Sequence, residues 1–180
     1  APGLAKGSAQ YCWLEAQLRD CQGLPGFTFV VMHHCPYSSG PHGLASSPLS
    51  ALPLRELTSL FQRYQVSAVF CGHDEMLERS EVDGVQVYDL GIGGDHLRGP
   101  VHDADNPWSR FLAHRDCPEV WHDQRLVSGG KHYGHLLVEI EPEGRGWSAR
   151  LTPVYAFPVE NGIERRSYDD VVVLRCDYSA

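Results

Sequence analysis

The chain has 180 residues, enough for one domain with a hydrophobic core, and 42% of them are hydrophobic. Its formal net charge of −8, with no basic run, argues against binding to the phosphate backbone of a nucleic acid. No apolar run approaches the roughly 20 residues that a membrane-spanning helix needs, so the sequence predicts no membrane span.

The first predicted element is an amphipathic helix over residues 9–20, with Trp13, Leu14 and Leu18 on its apolar side. A cluster of glycine and proline directly after it ends this helix. A β-rich apolar run at 27–32 then predicts the first strand.

The next three elements are a loop, a helix and a second strand. Residues 41–53 are rich in Ser, Pro, Gly and Ala, which predicts a mobile loop. Apolar residues at helical spacing predict an amphipathic helix over 54–64, and a second apolar run predicts a strand at 66–71. The order strand, helix, strand favours parallel pairing of the two strands with a right-handed crossover.

The second half of the sequence consists mainly of predicted strands. A strand at 85–90 ends in a glycine-rich turn at 91–95. Residues 95–131 lack clear periodicity and are interpreted as a long irregular insertion. Three more strands are predicted at 132–141, 146–155 and 168–175, with a hairpin turn at 143–146.

The strand at 66–71 leads into the turn with the strongest chemical signal. It delivers Gly72, His73, Asp74 and Glu75 in succession. Glycine permits a backbone turn that other residues disfavour, so His73 and Glu75 are predicted to project from the strand end toward an ion. Imidazole and carboxylate groups bind Zn, Mn and Fe, and the turn therefore predicts part of a metal site.

The strand at 27–32 ends in a similar way. It leads into His33 and His34, and His42 follows in the loop at 41–53. Because successive side chains of an extended backbone point to opposite faces, His34 is predicted to face away from His33.

The two strand ends resemble the C-terminal half of the calcineurin-like metallophosphoesterases, the dinuclear phosphatases that include the purple acid phosphatases. In that family one strand ends in a His-His-Pro-Pro-Tyr-like turn, and a Gly-His-x-His turn supplies the last two metal ligands. This chain has His-His-Cys-Pro-Tyr from position 33 and Gly-His-Asp-Glu from position 72. The resemblance implies an α/β fold, namely the C-terminal half of a four-layer α/β/β/α sandwich with mixed sheets.

The same resemblance implies roles for individual residues. His33 and His73 correspond to metal ligands, and His42 corresponds to the catalytic histidine beside the substrate. Glu75 stands where the family has its final histidine, so a carboxylate replaces an imidazole ligand. The implied cofactors are two divalent or trivalent ions, with Zn, Mn and Fe left open.

The ligand motifs of the family's upstream half are absent, because residues 1–11 are too few to contain them. Residues 1–180 are therefore interpreted as the C-terminal part of a single metallophosphoesterase domain. The missing N-terminal half is expected as a partner, on another chain or on a removed or lost segment.

Several polar residues near the two turns are candidates for second-shell or substrate-side roles. Asp74 is predicted to fix a loop or an imidazole tautomer, and Asp95 to bind the amides of its own glycine turn. His34 is a candidate for direct contact with metal or phosphate, and His96 is a candidate for contact at the mouth of the site. Among the other histidines, His132 is expected at the surface or in the second shell, and His135 in the core.

The predicted function is metal-dependent hydrolysis of phosphoesters at a dinuclear centre, with the substrate class left open. Two alternatives remain: a non-catalytic binding or scaffold module derived from the fold, and a mononuclear metal-binding protein. In the first alternative Glu75 marks decay of the site, and metal content separates all three: about two ions favour the enzyme, one favours the mononuclear site and none favours the module.

Six cysteines are compatible with disulfides and favour an exported protein, either periplasmic or extracellular. Cys12 and Cys21 are candidates for pairing across the first helix and its following loop. The alternative is that Cys71 and Cys12 are small buried hydrophobic residues. The chain starts without methionine or a signal-like segment, so any export signal is expected to have been removed or never to have existed.

Overall fold

The computed structural model describes residues 4–113 and 117–177, which form a mixed α/β structure with three sheets and few helices. The predicted insertion at 95–131 lies partly outside these ranges. No helix in the described part of the chain is long and apolar enough to cross a membrane.

Helix α1 spans Ala9–Asp20, as predicted, and begins where the Ser8 side chain accepts a hydrogen bond from the Tyr11 amide. The helix buries Tyr11 and Leu18. Trp13, predicted on the apolar side, is 60% exposed. It lies two residues from Tyr11, about 200° around a helix, and therefore points away from the core.

Strand β1 spans Phe29–His34 and pairs in parallel with β2, Ala68–Gly72, as the sequence predicts. The predicted helix between them begins as a 3₁₀ helix, Leu52–Leu57, and continues as α2, Thr58–Arg63. The 3₁₀ geometry has three residues per turn, which places Leu54 and Leu57 on the same buried side.

Strands β3, Leu77–Val82, and β4, Val85–Leu90, form a hairpin around an Asp-Gly turn. The sequence pattern predicts β4 but not β3, because the buried side of β3 carries the polar residues Glu78 and Ser80. Strand β5, Ser109–Leu112, joins β3 at the sheet edge, within the segment predicted to be irregular. The resulting five-stranded sheet has the order β1-β2-β4-β3-β5.

The remaining strands form two further sheets. A small hairpin pairs β6, Val120–His122, with β7, Arg125–Ser128. In the four-stranded sheet, the long central strand β9 pairs with β8 across the predicted hairpin turn and with both β10 and β11. These four strands are β8, Gly134–Glu143; β9, Gly146–Val159; β10, Gly162–Ser167; and β11, Val172–Asp177.

Strand β10 was not predicted, since most of its residues are exposed and two of them are adjacent arginines. Strand β11 begins at Val172 rather than at residue 168.

The five-stranded sheet lies between the helices and the second sheet. One face packs Val69 and Val87 against residues of α1 and α2, including Leu18 and Phe61. On the opposite face, Ala68 and Tyr88 pack against Ala149 and Leu151 of the four-stranded sheet. The described residues therefore stack as a helical layer and two sheets.

All six cysteines are free in the structure. Cys12 and Cys21 are both exposed, so their predicted pairing is not formed and Cys12 is not a core residue. Cys71 is buried, as the alternative interpretation predicted. The exported location remains a prediction.

A partly buried ion pair joins the first sheet to the segment that precedes β11. Arg79 Nη2 lies 2.7 Å from Asp170 Oδ1, and Arg79 Nε donates to Oδ2 at 2.9 Å. The two side chains are only 12% and 11% exposed. Such a bidentate pair is geometrically specific, and loss of one partner leaves the other charge poorly solvated.

We expect Asp170→Ala to lower the free energy of unfolding by about 3 kcal/mol, because Arg79 then remains inside the protein without its carboxylate. Urea denaturation measures this change. The control is Glu143→Ala, which breaks the exposed pair with Arg175 and should cost less than about 1 kcal/mol. Equal losses in the two variants would show that the partly buried Arg79–Asp170 pair contributes no more stability than an exposed pair.

Candidate functional site

Four histidines converge where β1 and β2 end. Parallel pairing places the carboxyl ends of both strands at one sheet edge, so His33 and His34 of β1 meet His73, which follows β2. The ring centroid of His73 lies 4.7 Å from that of His33, 4.2 Å from that of His34 and 4.0 Å from that of His42. We call these four residues the histidine cluster.

An irregularity in the β1–β2 pairing brings two successive residues to the cluster. Val31 pairs with Phe70 and His34 with Gly72, so β1 advances three residues while β2 advances two. At this bulge the His34 ring centroid lies 5.0 Å from that of His33 and 4.2 Å from that of His73. The prediction that His34 faces away from His33 is therefore wrong.

The turn after β2 contains two residues with left-handed backbone conformations. They are His73, with φ of +81°, and Glu75, with φ of +54°, whereas Gly72 does not have a positive φ. The unusual backbone conformation was expected at Gly72 and instead occurs at the two residues His73 and Glu75. Non-glycine residues with positive φ are uncommon and occur preferentially at functional sites.

The backbone at Gly91 packs closely against this turn. A Cβ atom at Gly91 would lie 2.4 Å from the Glu75 amide nitrogen. Glycine is therefore required for this contact.

The surroundings of two members of the cluster favour their neutral imidazoles. Burial, followed by the charges of neighbouring histidines, lowers the pKa of both His34 and His73. His33 Nε2 lies 2.9 Å from His73 Nδ1, and one of these atoms donates to the other. His73 Nε2 is buried and has no hydrogen-bond partner among the described residues.

His42 reaches the cluster from the loop after β1, where Pro41–Gly43 form a 3₁₀ turn. Its Nδ1 contacts Oδ1 of Asp74, which is 1% exposed. The same Oδ1 accepts a hydrogen bond from the His42 amide at 3.3 Å. Asp74 thus holds both the backbone and the ring of His42, in agreement with the expectation that it fixes a loop or an imidazole tautomer.

The Glu75 carboxylate forms an ion pair with Arg98. Its Oε2 contacts Arg98 Nε, its Oε1 lies 3.4 Å from Arg98 Nη2, and its carbonyl accepts the Arg98 amide at 2.9 Å. Arg79, four residues further along the chain, is not its partner, because Arg79 binds Asp170. A metal-ligand role for Glu75 stays a prediction.

The cluster is not a preformed coordination shell. No group of three or more His, Cys, Asp or Glu side chains in residues 4–113 and 117–177 is placed to bind a metal ion. Two imidazole nitrogens on one tetrahedral ion stand about 3.3 Å apart, since each bond is roughly 2.0–2.1 Å. The 2.9 Å between His33 Nε2 and His73 Nδ1 is shorter, so these two atoms must separate if both are to bind one ion.

Four other residues named in the sequence analysis lie outside the histidine cluster. Asp95 and His96 have side chains that are 73% and 94% exposed, with a 4.0 Å pair between them. His132 is buried against Tyr155, and its Nε2 donates to the Gly129 carbonyl oxygen at 2.7 Å, so it does not lie at the surface. His135, predicted as a packing residue, is exposed on the edge strand β8.

Two buried acids near the site were not identified from the sequence. Glu78 is 1% exposed and binds the loop that carries His42. Asp89 is wholly buried, and burial raises the pKa of its carboxyl well above the usual value. An acidic residue within an apolar strand was the available signal, since such residues are rarely buried without a specific partner.

Comparisons with known proteins give little further information. No family model matches the chain, and no curated protein matches it. One similar solved structure is GAP50, described as the anchor in the inner membrane complex of Plasmodium, with 16% identity and a TM-score of 0.49. The match covers 91% of this chain and 45% of that one, so this chain spans less than half of its length.

We expect Gly40→Ala to disrupt the His42–Asp74 contact. A Cβ atom at Gly40 would lie 2.5 Å from the Asp74 Cγ, so the loop or the carboxylate must move. The matched control is Gly93→Ala, where a Cβ meets nothing within 4 Å. Crystal structures of the two variants measure the His42 Nδ1 to Asp74 Oδ1 contact, and an unchanged contact in Gly40→Ala would show that the loop tolerates the added methyl group.

Proposed function

We propose that this chain contributes the C-terminal ligands and the substrate-side histidine of a metal-dependent phosphoester hydrolase. The observation that carries the proposal is the convergence of four histidines at one sheet edge, with His42 held by the buried Asp74. The sequence resemblance to metallophosphoesterases gives the reaction class. On this proposal the chain is the C-terminal half of a four-layer sandwich, and the upstream half supplies the remaining ligands.

The side chains of the cluster suit a transition metal ion. His73 Nε2 is a buried nitrogen without a partner in the described residues, and the lowered pKa of His34 and His73 favours the neutral imidazole that binds metals. His33 and His73 would bind one ion, and Glu75 a second after release from Arg98. When bound, two such ions neutralise the anionic phosphoester and lower the pKa of a water molecule.

His42 would act on the leaving group. The Asp74 carboxylate accepts only, so it selects the His42 tautomer with a proton on Nδ1 and leaves Nε2 directed elsewhere. A protonated Nε2 would then donate its proton to the departing oxygen of the ester. General acid catalysis of this kind contributes roughly 10²- to 10⁴-fold to the rate.

A mononuclear metal-binding protein is the second candidate, and the Glu75–Arg98 pair favours it. If Arg98 retains the Glu75 carboxylate, only imidazoles remain to bind an ion in the described part of the site. Imidazole ligands alone suit Zn, Cu, Fe or Ni. This candidate has no leaving-group chemistry and requires no role for His42.

We expect His42→Ala in the complete protein to lower turnover by about 10²-fold or more while bound metal is retained, because its loss removes an interaction made in the transition state. The measurement pairs metal content with kinetics on an aryl and an alkyl phosphate. The alkyl ester should lose more, since an alkoxide needs a proton to depart. His122→Ala, which removes an imidazole that is 79% exposed, is the control and should change neither quantity.

Equal losses on both esters would reassign His42 to electrostatic stabilisation of the phosphate. A fully active, metallated His42→Ala variant would contradict its catalytic role. Bound metal without turnover in the native protein would support the mononuclear candidate.

A further inference from the structure

The buried carboxylate of Glu78 collects several hydrogen bonds from the loop that carries His42. Glu78 lies on β3 and is 1% exposed. Its Oε2 accepts the Ser39 amide at 2.6 Å, and its Oε1 accepts the Ser39 hydroxyl at 2.6 Å and the Asn106 side-chain amide at 3.0 Å. Such charge-assisted bonds inside a protein are stronger than neutral ones.

The same loop is fixed from its other side by the segment around residue 102. The Ser39 carbonyl accepts the amides of Val101 at 3.0 Å and of His102 at 3.2 Å. His102 Nε2 lies 3.0 Å from the Gly40 carbonyl oxygen. Asn106 also donates to the Tyr37 carbonyl at 2.9 Å. The loop is therefore held between β3 and the predicted insertion.

The path from Glu78 to His42 is short. Ser39 binds Glu78, Gly40 follows it and packs against Asp74, and His42 is two residues further along. Asp74 Oδ1 accepts the His42 amide, so the backbone is tied at Ser39 and again at His42. Because only Gly40 and Pro41 separate Ser39 from His42, we expect a shift of Ser39 to alter the contact of His42 with Asp74.

Both Glu78 oxygens act as acceptors, which only a carboxylate can satisfy. A glutamine keeps one acceptor oxygen and presents an amide donor at the other position. With its NH2 at the Oε2 position the glutamine faces the Ser39 amide donor, and with its NH2 at the Oε1 position it faces the Asn106 side-chain donor, while the Ser39 hydroxyl can rotate to accept. Glu78→Gln thus preserves the shape of the side chain, removes the charged acceptor of the Ser39 amide and leaves one donor unmatched in either orientation.

We infer that Glu78 is a positioning residue of the site: its carboxylate fixes Ser39 and thereby sets the contact of His42 with Asp74. The inference deepens the proposed function, because it rests on that proposal for the catalytic role of His42. The geometric part concerns this chain alone and does not require a metal or a substrate.

The test compares Glu78→Gln with native protein in two measurements made without metal. The first is hydrogen exchange of the Ser39 amide, which should accelerate roughly tenfold or more when its charged acceptor is lost. The second is the ¹⁵N spectrum of the His42 ring, which should lose the single Nδ1-protonated tautomer that Asp74 selects. Leu151→Val weakens the core between the two sheets without touching the loop, and should change neither signal beyond its global effect.

Ser39→Ala is the second variant, for use if Glu78→Gln does not fold. It removes one of the two bonds from Ser39 and should give an intermediate acceleration of exchange. Native exchange at Ser39 and an unchanged His42 tautomer in the folded variants would overturn the inference. Turnover is measured separately: an inactive native protein with the expected exchange changes would refute the proposed function and leave the positioning role supported.

Discussion

Parallel pairing of β1 with β2 determines where the candidate functional side chains lie. Because both strands end at the same sheet edge, His33, His34 and His73 meet although 40 residues separate His33 from His73. The bulge in this pairing brings His34 to the cluster. The helical crossover between the strands allows β2 to run parallel to β1. The loop inside the same crossover carries His42, so one supersecondary unit supplies the whole histidine cluster.

Two buried carboxylates hold the loop that carries His42 in place. Asp74 and Glu78 are each 1% exposed and both bind the loop before α2, one at His42 and the other at Ser39. Burying such groups is unfavourable unless hydrogen bonds satisfy them, and here backbone amides and side-chain donors do so. The loop that carries His42 is therefore bound at two points, by Asp74 in the turn after β2 and by Glu78 on β3. Two attachments favour a fixed position of the His42 imidazole.

Sequence reasoning identified the elements with strong periodicity and the residues at their ends. It predicted α1, β1, β2 and β4, and it placed Asp74 as the partner of a loop or an imidazole. It missed β3, since Glu78 and Ser80 occupy buried positions that normally carry apolar residues. It misplaced His34 because a bulge depends on strand register, and it missed Arg98 as the partner of Glu75 because that contact spans an irregular segment.

The central claim is that the histidine cluster binds metal ions for phosphoester hydrolysis. Elemental analysis of the purified complete protein tests it most directly, with His73→Ala as the site variant and His122→Ala as the exposed control. The account predicts about two ions per native protein, the same content in His122→Ala, and loss of metal in His73→Ala, since His73 would be a ligand. Native protein without stoichiometric metal, or a His73→Ala variant that retains the native content, would contradict it.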